Sequence, residues 1–365
     1  MVKINLKEIH LTINGAGCVT DCIHCWANGG RYKNMSFDDI KFVSQSFKDF
    51  TEQIGYNLNF NVMHELLAHP DALRILELQY EQNKGNPHYA FFQIPTSGIP
   101  VAIREDYKEL LDGLVKNKVE NLHYVLHGIG EIHDKAVNLK NGFEKLKISI
   151  ERTKEAGLVC SIAIFLNKSN ISQFNDMQKF LLDYEIKMGS YMIARYISGK
   201  KLQKYDEMRV EYSDLLPVLN EIKEDKIIDV GFGKRDLFHN PENYTEAAFY
   251  RKAVEGEEII TAYDIPKTDI INIICDKDFN IYDGSANVFG KCYGNLKEDS
   301  GVIFEKLNGD IINDRMEYIF SPALFYPNET IPPLKEVAEK YGDKKGQKIY
   351  AGGIYYKWLD KIFLK

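Results

Sequence analysis

The chain has 365 residues, of which 44% are apolar and 27% charged, with a formal net charge of -7. That is the composition of a soluble globular protein, long enough for one large α/β domain and a smaller one. It gives no electrostatic case for nucleic-acid binding, and no apolar run approaches the about 18 residues of a membrane span.

The N-terminus, MVKINLKEIHL, is too polar for a signal peptide. Six cysteines are too few to staple a secreted fold of this length, so a reducing cytoplasm is the expected location.

In chain order, Ile9–Asn14 alternates in hydropathy and reads as a strand, which Gly15 and Gly17 then interrupt. Cys18, Cys22 and Cys25 follow on a loop, in the run CVTDCIHC. Ser36 caps a helix running to about Gln53. Strands are expected at Asn57–Met63, Tyr89–Ile94, Glu120–Leu126, Val159–Leu166 and Tyr191–Ile197, with helices at Asp71–Gln82, Glu105–Lys116, Gly142–Ala156 and Gln173–Tyr184 between them. Ile227–Phe232 reads as a further strand. This alternation predicts a parallel sheet with crossover helices. Residues 233–262 break the rhythm. From Ile270 a hairpin-like pattern begins, with Ile271–Asn280 extended and turns at Asp283-Gly284 and Gly294-Asn295.

The cysteine loop carries the chemistry. Three thiolates on one short loop can hold three irons of a cubane cluster and leave the fourth iron open for a ligand. The rival is a structural zinc site completed by His24 or His10. Zinc loops normally come as paired knuckles, no second knuckle lies nearby, and His24 would have to fold back between two ligands.

The spacing of Cys18, Cys22 and Cys25 resembles the C-x3-C-x2-C loop of the radical S-adenosylmethionine superfamily, with His24 where an aromatic residue is usual. The resemblance extends over about residues 6–200. Val62-Met63-His64-Glu65 is similar to that family's GGEP segment, with Met63 and His64 replacing the two glycines and Glu65 keeping the acidic position. A carboxylate there suits the ammonium of the methionine moiety. Pro95-Thr96-Ser97-Gly98 resembles the TNG turn. His127 ends the fourth strand where serine is usual, and Asn167 and Arg195 stand at the exits of the fifth and sixth strands. The resemblance implies cofactor-binding roles for Glu65, Thr96, His127, Asn167 and Arg195. His133 reads as a capping or packing residue. Counting along the fifth strand places Ser161, Ala163 and Phe165 inside and Cys160 outside, as a packing cysteine.

A weaker echo, from Ile274 to Leu296, resembles the SPASM or Twitch extension of the same superfamily. Only Cys275 and Cys292 are present there, too few for a four-cysteine auxiliary site. One cluster is therefore expected, with Cys275 and Cys292 as candidate hydrogen donors or packing residues, close in space if the hairpin pairs them.

The resemblance implies a partial (β/α)6 TIM-like barrel in residues 1–232, a connecting segment at 233–262 and a small α+β domain at 263–365. It implies an enzyme that uses a [4Fe-4S] cluster to cleave S-adenosylmethionine and abstract a hydrogen atom from a substrate carbon. Peptide maturation is the favoured setting. Action on a small metabolite such as a sugar or nucleoside is the alternative, and a non-catalytic zinc- or cluster-binding protein the alternative of another class. An external one-electron reductant of the flavodoxin or ferredoxin type is expected. Neither a leader-recognition domain nor a cobalamin domain is expected before the first strand.

Overall fold

The computed structural model describes residues 7–23, 25, 34–84, 93–186, 188–193, 204–219, 240–256, 270–285, 288–313, 329–349 and 354–363. Strands and helices alternate from the start. They are β1 (Glu8–Ile13), α1 (Phe37–Ile54), β2 (Asn57–Val62), α2 (Ala72–Asn83), β3 (Gln93–Thr96), α3 (Ile99–Ile103), α4 (Tyr107–Lys116), β4 (Asn121–Leu126), α5 (Glu131–Val137), α6 (Gly142–Glu155), β5 (Val159–Leu166), α7 (Phe174–Asp183) and β6 (Met188–Ile193). Then follow α8 (Lys204–Met208), α9 (Tyr212–Leu219), α10 (Glu246–Glu255), β7 (Ile270–Cys275), β8 (Asn280–Ser285), β9 (Val288–Asn295), α11 (Ser300–Ile312), α12 (Leu334–Tyr341) and α13 (Ile354–Phe363).

Among the described residues the strands form two sheets, ordered β2-β1-β7-β8-β9 and β3-β4-β5-β6. The pairs β1–β2, β3–β4, β4–β5 and β5–β6 are all parallel, the pattern of a barrel wall built from β/α units. Strand alternation sorts each strand into a face toward helices and a face away from them. In the first sheet, Ile9, Leu11, Ile13, Phe60 and Val62 face the helix layer and are buried in the main core with Val43 and Phe47 of α1. In the second, the Tyr124 hydroxyl reaches Ser149 and Thr153 of α6, while the neighbouring position, His123, bonds to Ser161 on the other face.

Helix α1 shows the local logic. Ser36 accepts the Asp39 amide at its start, and Gly55 at φ +70° closes its end, a conformation glycine adopts without cost. Its buried stripe of Ile40, Val43, Phe47 and Phe50 packs on the first sheet, and Phe50 stacks on Phe304 of α11. Truncating Phe47 to alanine would cost about 3–5 kcal/mol at such a site. Helices α10, α12 and α13 pack separately around Phe249 and Trp358. The buried Arg209 ties this group to the chain after α8 by bonding Asp206, Glu246 and the Ile349 carbonyl.

The C-terminal hairpin departs from expectation. The stretch Ile271–Asn280 is not one strand. It splits at a turn where the Asp276 carboxylate accepts the amides of Asp278 and Asn280, each at 2.9 Å, and Phe279 takes φ +67°. Asp283-Gly284, expected as the turn, lies within β8 at an irregular register against β9. Asp283 is buried and accepts the Lys291 amide, so cross-strand bonding holds the pair in the strand. Gly294-Asn295 closes β9 rather than forming a separate turn. The strands β7–β9 also join the first sheet, because β7 pairs in parallel with β1 over Glu8–Ile13. Short helices α3 and α5 were not expected, and the segment 233–262 carries α10. The expected strand at Ile227–Phe232 and the exit Ala194–Gly199 lie outside the described residues, and Tyr89–Ile94 is described only from Gln93, where β3 begins.

Candidate active site

The cysteine loop hangs from the C-terminal end of β1, the end at which parallel α/β sheets bind ligands. Its base is fixed by backbone bonds on three sides. Asn14 donates to the Cys275 carbonyl of β7, and Ala16 donates to the Met63 carbonyl and accepts the His64 amide just after β2. Met35 donates to Gly15, and the Gly17 amide to the Asn34 side chain at 2.6 Å. Farther along, Asp21 and Ile23 donate to the carbonyls of Val137 and Ala136 at the end of α5. A Cβ at Gly15 would lie 3.1–3.2 Å from Ile40 and Val62, so the close approach of the loop to α1 favours glycine.

All three cysteines are partly exposed. The Cys18 sulfur lies 3.0 Å from the Thr20 hydroxyl, and the Cys22 thiol donates to the same oxygen at 3.4 Å. Burial pushes the Cys22 thiol up to about 12, and burial followed by the nearby Glu65 raises that of Cys18. Ionising these thiols therefore needs a compensating cation, as metal ligation supplies. Among the described residues no three His, Cys, Asp or Glu side chains gather around a single ion. A cubane asks for something different, one sulfur at each of three corners. Three soft donors on one loop, with Cys18 and Cys22 costly to ionise alone, fit it. His24 lies outside the described residues. A cleft of about 420 Å³ opens beside Cys18, walled by Gly17, Asn34, Ala68, Ile99 and Lys145.

Glu65 follows β2 and is 3% exposed. One carboxylate oxygen accepts the Thr96 hydroxyl at 2.8 Å, the other the Ser97 amide at 2.7 Å. Thr96 in turn accepts the Gly98 amide at 3.0 Å, and Gly98 takes φ +80° to start α3. Glu65 therefore joins the tops of the two sheets across the gap between β2 and β3. Burial raises its pKa above the usual 4.5 despite these hydrogen bonds. The same carboxylate acts electrostatically on Cys18 and Cys22, which places it beside the cysteine loop.

His127 is buried at the end of β4 against Phe165, and its amide donates to His133 at 3.3 Å. His133, buried against Phe143, acts as a local anchor, as read from the sequence. Asn167 is spent on its own loop, donating to the Phe165 carbonyl and accepting from the amide and hydroxyl of Ser169. Arg195 lies outside the described residues. Cys160 faces α6 and bonds the Ile150 carbonyl, while Ser161 bonds His123 on the opposite face, as strand counting predicts.

The two C-terminal cysteines do not meet. Cys275 aligns with Ile13 and Ile281, both fully buried on the helix side. Cys292 aligns with Tyr282 and, through it, with Ile274 and Thr12 on the other face, where it is exposed. The expectation of proximity fails because the residues sit on positions of opposite parity. Sequence reading passed over Thr20 and named Ser97 only as part of a turn. The first was marked only by lying between two cysteines, and the second contributes a backbone amide that no side-chain pattern reveals.

A parallel β/α wall with a three-thiol loop and a buried carboxylate at its strand ends defines a cofactor-using α/β enzyme. Residues 13–181 match the family model described as Radical SAM superfamily, so this part of the chain is a radical SAM domain. Its cofactors are the family's [4Fe-4S] cluster and S-adenosylmethionine. Among solved structures, a polyhistidine-tagged anSMEcpe with bound AdoMet is similar at a TM-score of 0.54 and 14% identity, over 98% of this chain and 97% of that one. Native anSMEcpe with AdoMet and a Cp18Cys peptide gives 0.52 and 16%, over 97% and 96%. Native anSMEcpe with AdoMet alone gives 0.53 and 15%, over 97% and 96%. At these identities the likeness is one of fold, the partial barrel included. No curated protein matches the chain. Among the described residues no helix is long and apolar enough to cross a membrane.

Proposed function

We propose that this enzyme cleaves S-adenosylmethionine reductively and takes a hydrogen atom from a carbon of a peptide substrate. The observation that carries the reading is the convergence at one end of the β/α wall of Cys18, Cys22 and Cys25 with the buried Glu65. Bound there, the cluster and S-adenosylmethionine supply one-electron scission of a carbon–sulfur bond and a carbon radical able to take hydrogen. The chain's own residues do the rest. Cys18, Cys22 and Cys25 hold the irons and leave one coordination corner free. Glu65, preset by Thr96 and Ser97, accepts the ammonium of the methionine moiety. His127, Asn167 and Arg195 are proposed to complete the cofactor's surroundings, Asn167 by shaping its loop. Cys292, on the helix-free face, is the better placed of the two candidate hydrogen donors, and Cys275 serves packing.

The peptide class is supported by the extended likeness to a fold that also accommodates a bound peptide, together with the hairpin that follows the barrel strands. The test is anaerobic reconstitution, reduction, and mass spectrometry of 5'-deoxyadenosine formed with deuterated peptide mixtures. Deuterium transfer from peptide is expected. Transfer from deuterated sugars or nucleosides instead would reassign the substrate class, and no 5'-deoxyadenosine at all would overturn the reaction.

A further inference from the structure

Thr20 lies between two cysteines, is 2% exposed, and spends its hydroxyl on both of their sulfurs. Its amide also bonds the Cys18 sulfur. A hydroxyl has one proton and two lone pairs. In the free loop this is balanced, because the Cys22 thiol donates to Thr20 and the Thr20–Cys18 contact can be donated from either side. Iron ligation strips both thiols of their protons, and the Thr20 hydroxyl is then the one donor left among the three groups. Its single proton can go to one sulfur, and the nearer is Cys18, at 3.0 Å against 3.4 Å. Threonine suits the task because its branched Cβ restricts χ1 and holds the oxygen in place.

We propose that Thr20 is a positioning residue that donates its hydroxyl proton to the Cys18 sulfur in the cluster-bound enzyme, fixing that ligand and raising the cluster's reduction potential. The inference rests on the three-cysteine reading above. Hydrogen bonds to ligand sulfur stabilise the more negative, reduced cluster, and partners of this kind orient metal ligands.

The test reconstitutes the native enzyme, Thr20→Val and Thr20→Ser anaerobically and titrates each cluster by electron paramagnetic resonance. Thr20→Val keeps the shape without the proton, and Thr20→Ser keeps the proton. Thr20→Val is expected to shift the reduced-to-oxidised ratio about tenfold at fixed potential, a midpoint about 59 mV lower for one electron. Thr20→Ser should titrate like the native enzyme. Pulsed measurements in D2O should show one exchangeable deuteron fewer coupled to the cluster in Thr20→Val alone. A Thr20→Val enzyme with native iron, native potential and native deuteron coupling overturns the proposal, as does an equal shift in both variants. Loss of iron in Thr20→Val with a native Thr20→Ser supports it. Loss in both overturns it, since the methyl and not the proton would then hold the loop. A native enzyme that takes up no cluster instead refutes the three-cysteine reading itself.

Discussion

The cysteine loop after β1 and the hairpin β7–β9 each carry thiols, and they use them in opposite ways. On the loop, three cysteines within eight residues are freed from strand parity, and two sulfurs turn toward one hydroxyl. On the hairpin, Cys275 and Cys292 are bound by the alternation of a pleated sheet, which sends one into the core and the other to the open face. Irregular backbone can gather side chains that regular backbone must separate. This contrast supports the proposal that metal chemistry belongs to the first region, while the second offers two unrelated thiols.

The largest effect that could break this contrast is loss of the cluster. Replacing Cys18, Cys22 and Cys25 together with alanine should take bound iron from about four per chain to none, by iron and sulfide assay. Residual iron that disappears only when Cys275 and Cys292 are also removed would show the hairpin to be a second site.

Glu65→Gln should leave the iron content intact and weaken S-adenosylmethionine by about 1.5–3 kcal/mol, roughly ten- to hundredfold, in a direct binding titration. Unchanged affinity would make Glu65 only a clasp between the sheets. The same residue has a pH signature. Its folded pKa is raised, so its contribution to the stability of the cofactor-free protein is full below the unfolded value of 4.5 and is lost as pH rises through the folded one. Melting temperatures of Glu65→Gln minus native should therefore climb as pH increases from 4.5, and a flat difference would contradict the burial.

Cys275→Ser should cost about 1–3 kcal/mol of stability, because it buries a stronger hydrogen-bonding group in an apolar place. Denaturant melts measure it, with iron content unaffected. Smallest of all, Cys292→Ser should change stability by less than about 0.5 kcal/mol. In the native fold a maleimide should label Cys292, while Cys275 should react only after unfolding. Equal labelling would erase the difference in face.

Much of the barrel wall was legible because each crossover unit is local. Phe37–Ile54 announces itself by the Ser36 cap, the apolar stripe and Gly55, and Val159–Leu166 by a continuous apolar run. Cys160 could be placed outside by counting twos. The hairpin was misread because Asp-Gly is a strong local turn signal and here long-range pairing overrides it, while the true turn is made by one aspartate folding over two amides. The cysteine spacing pointed to the chemistry proposed for the site but not to the loop's supports. The bonds from Asp21 and Ile23 to α5 join residues over a hundred positions apart through backbone atoms alone, which leave no mark on composition.

The placement of β1 between β2 and β7 has a consequence for how the chain is made. One edge of β1 can pair as soon as Asn57–Val62 has been synthesised, but the other waits for Ile270–Cys275. Until then the strand that leads into the cysteine loop exposes a row of unpaired amides and carbonyls, the kind of edge on which nascent chains associate wrongly. Closing it demands a contact of very long sequence separation, which slows folding. The Asn14 amide finds its acceptor on Cys275 only at that last step. Ribosome-bound chains ending before residue 270 should accordingly show this strand as the most exchange-exposed part of the first sheet, and release of the full chain should protect it.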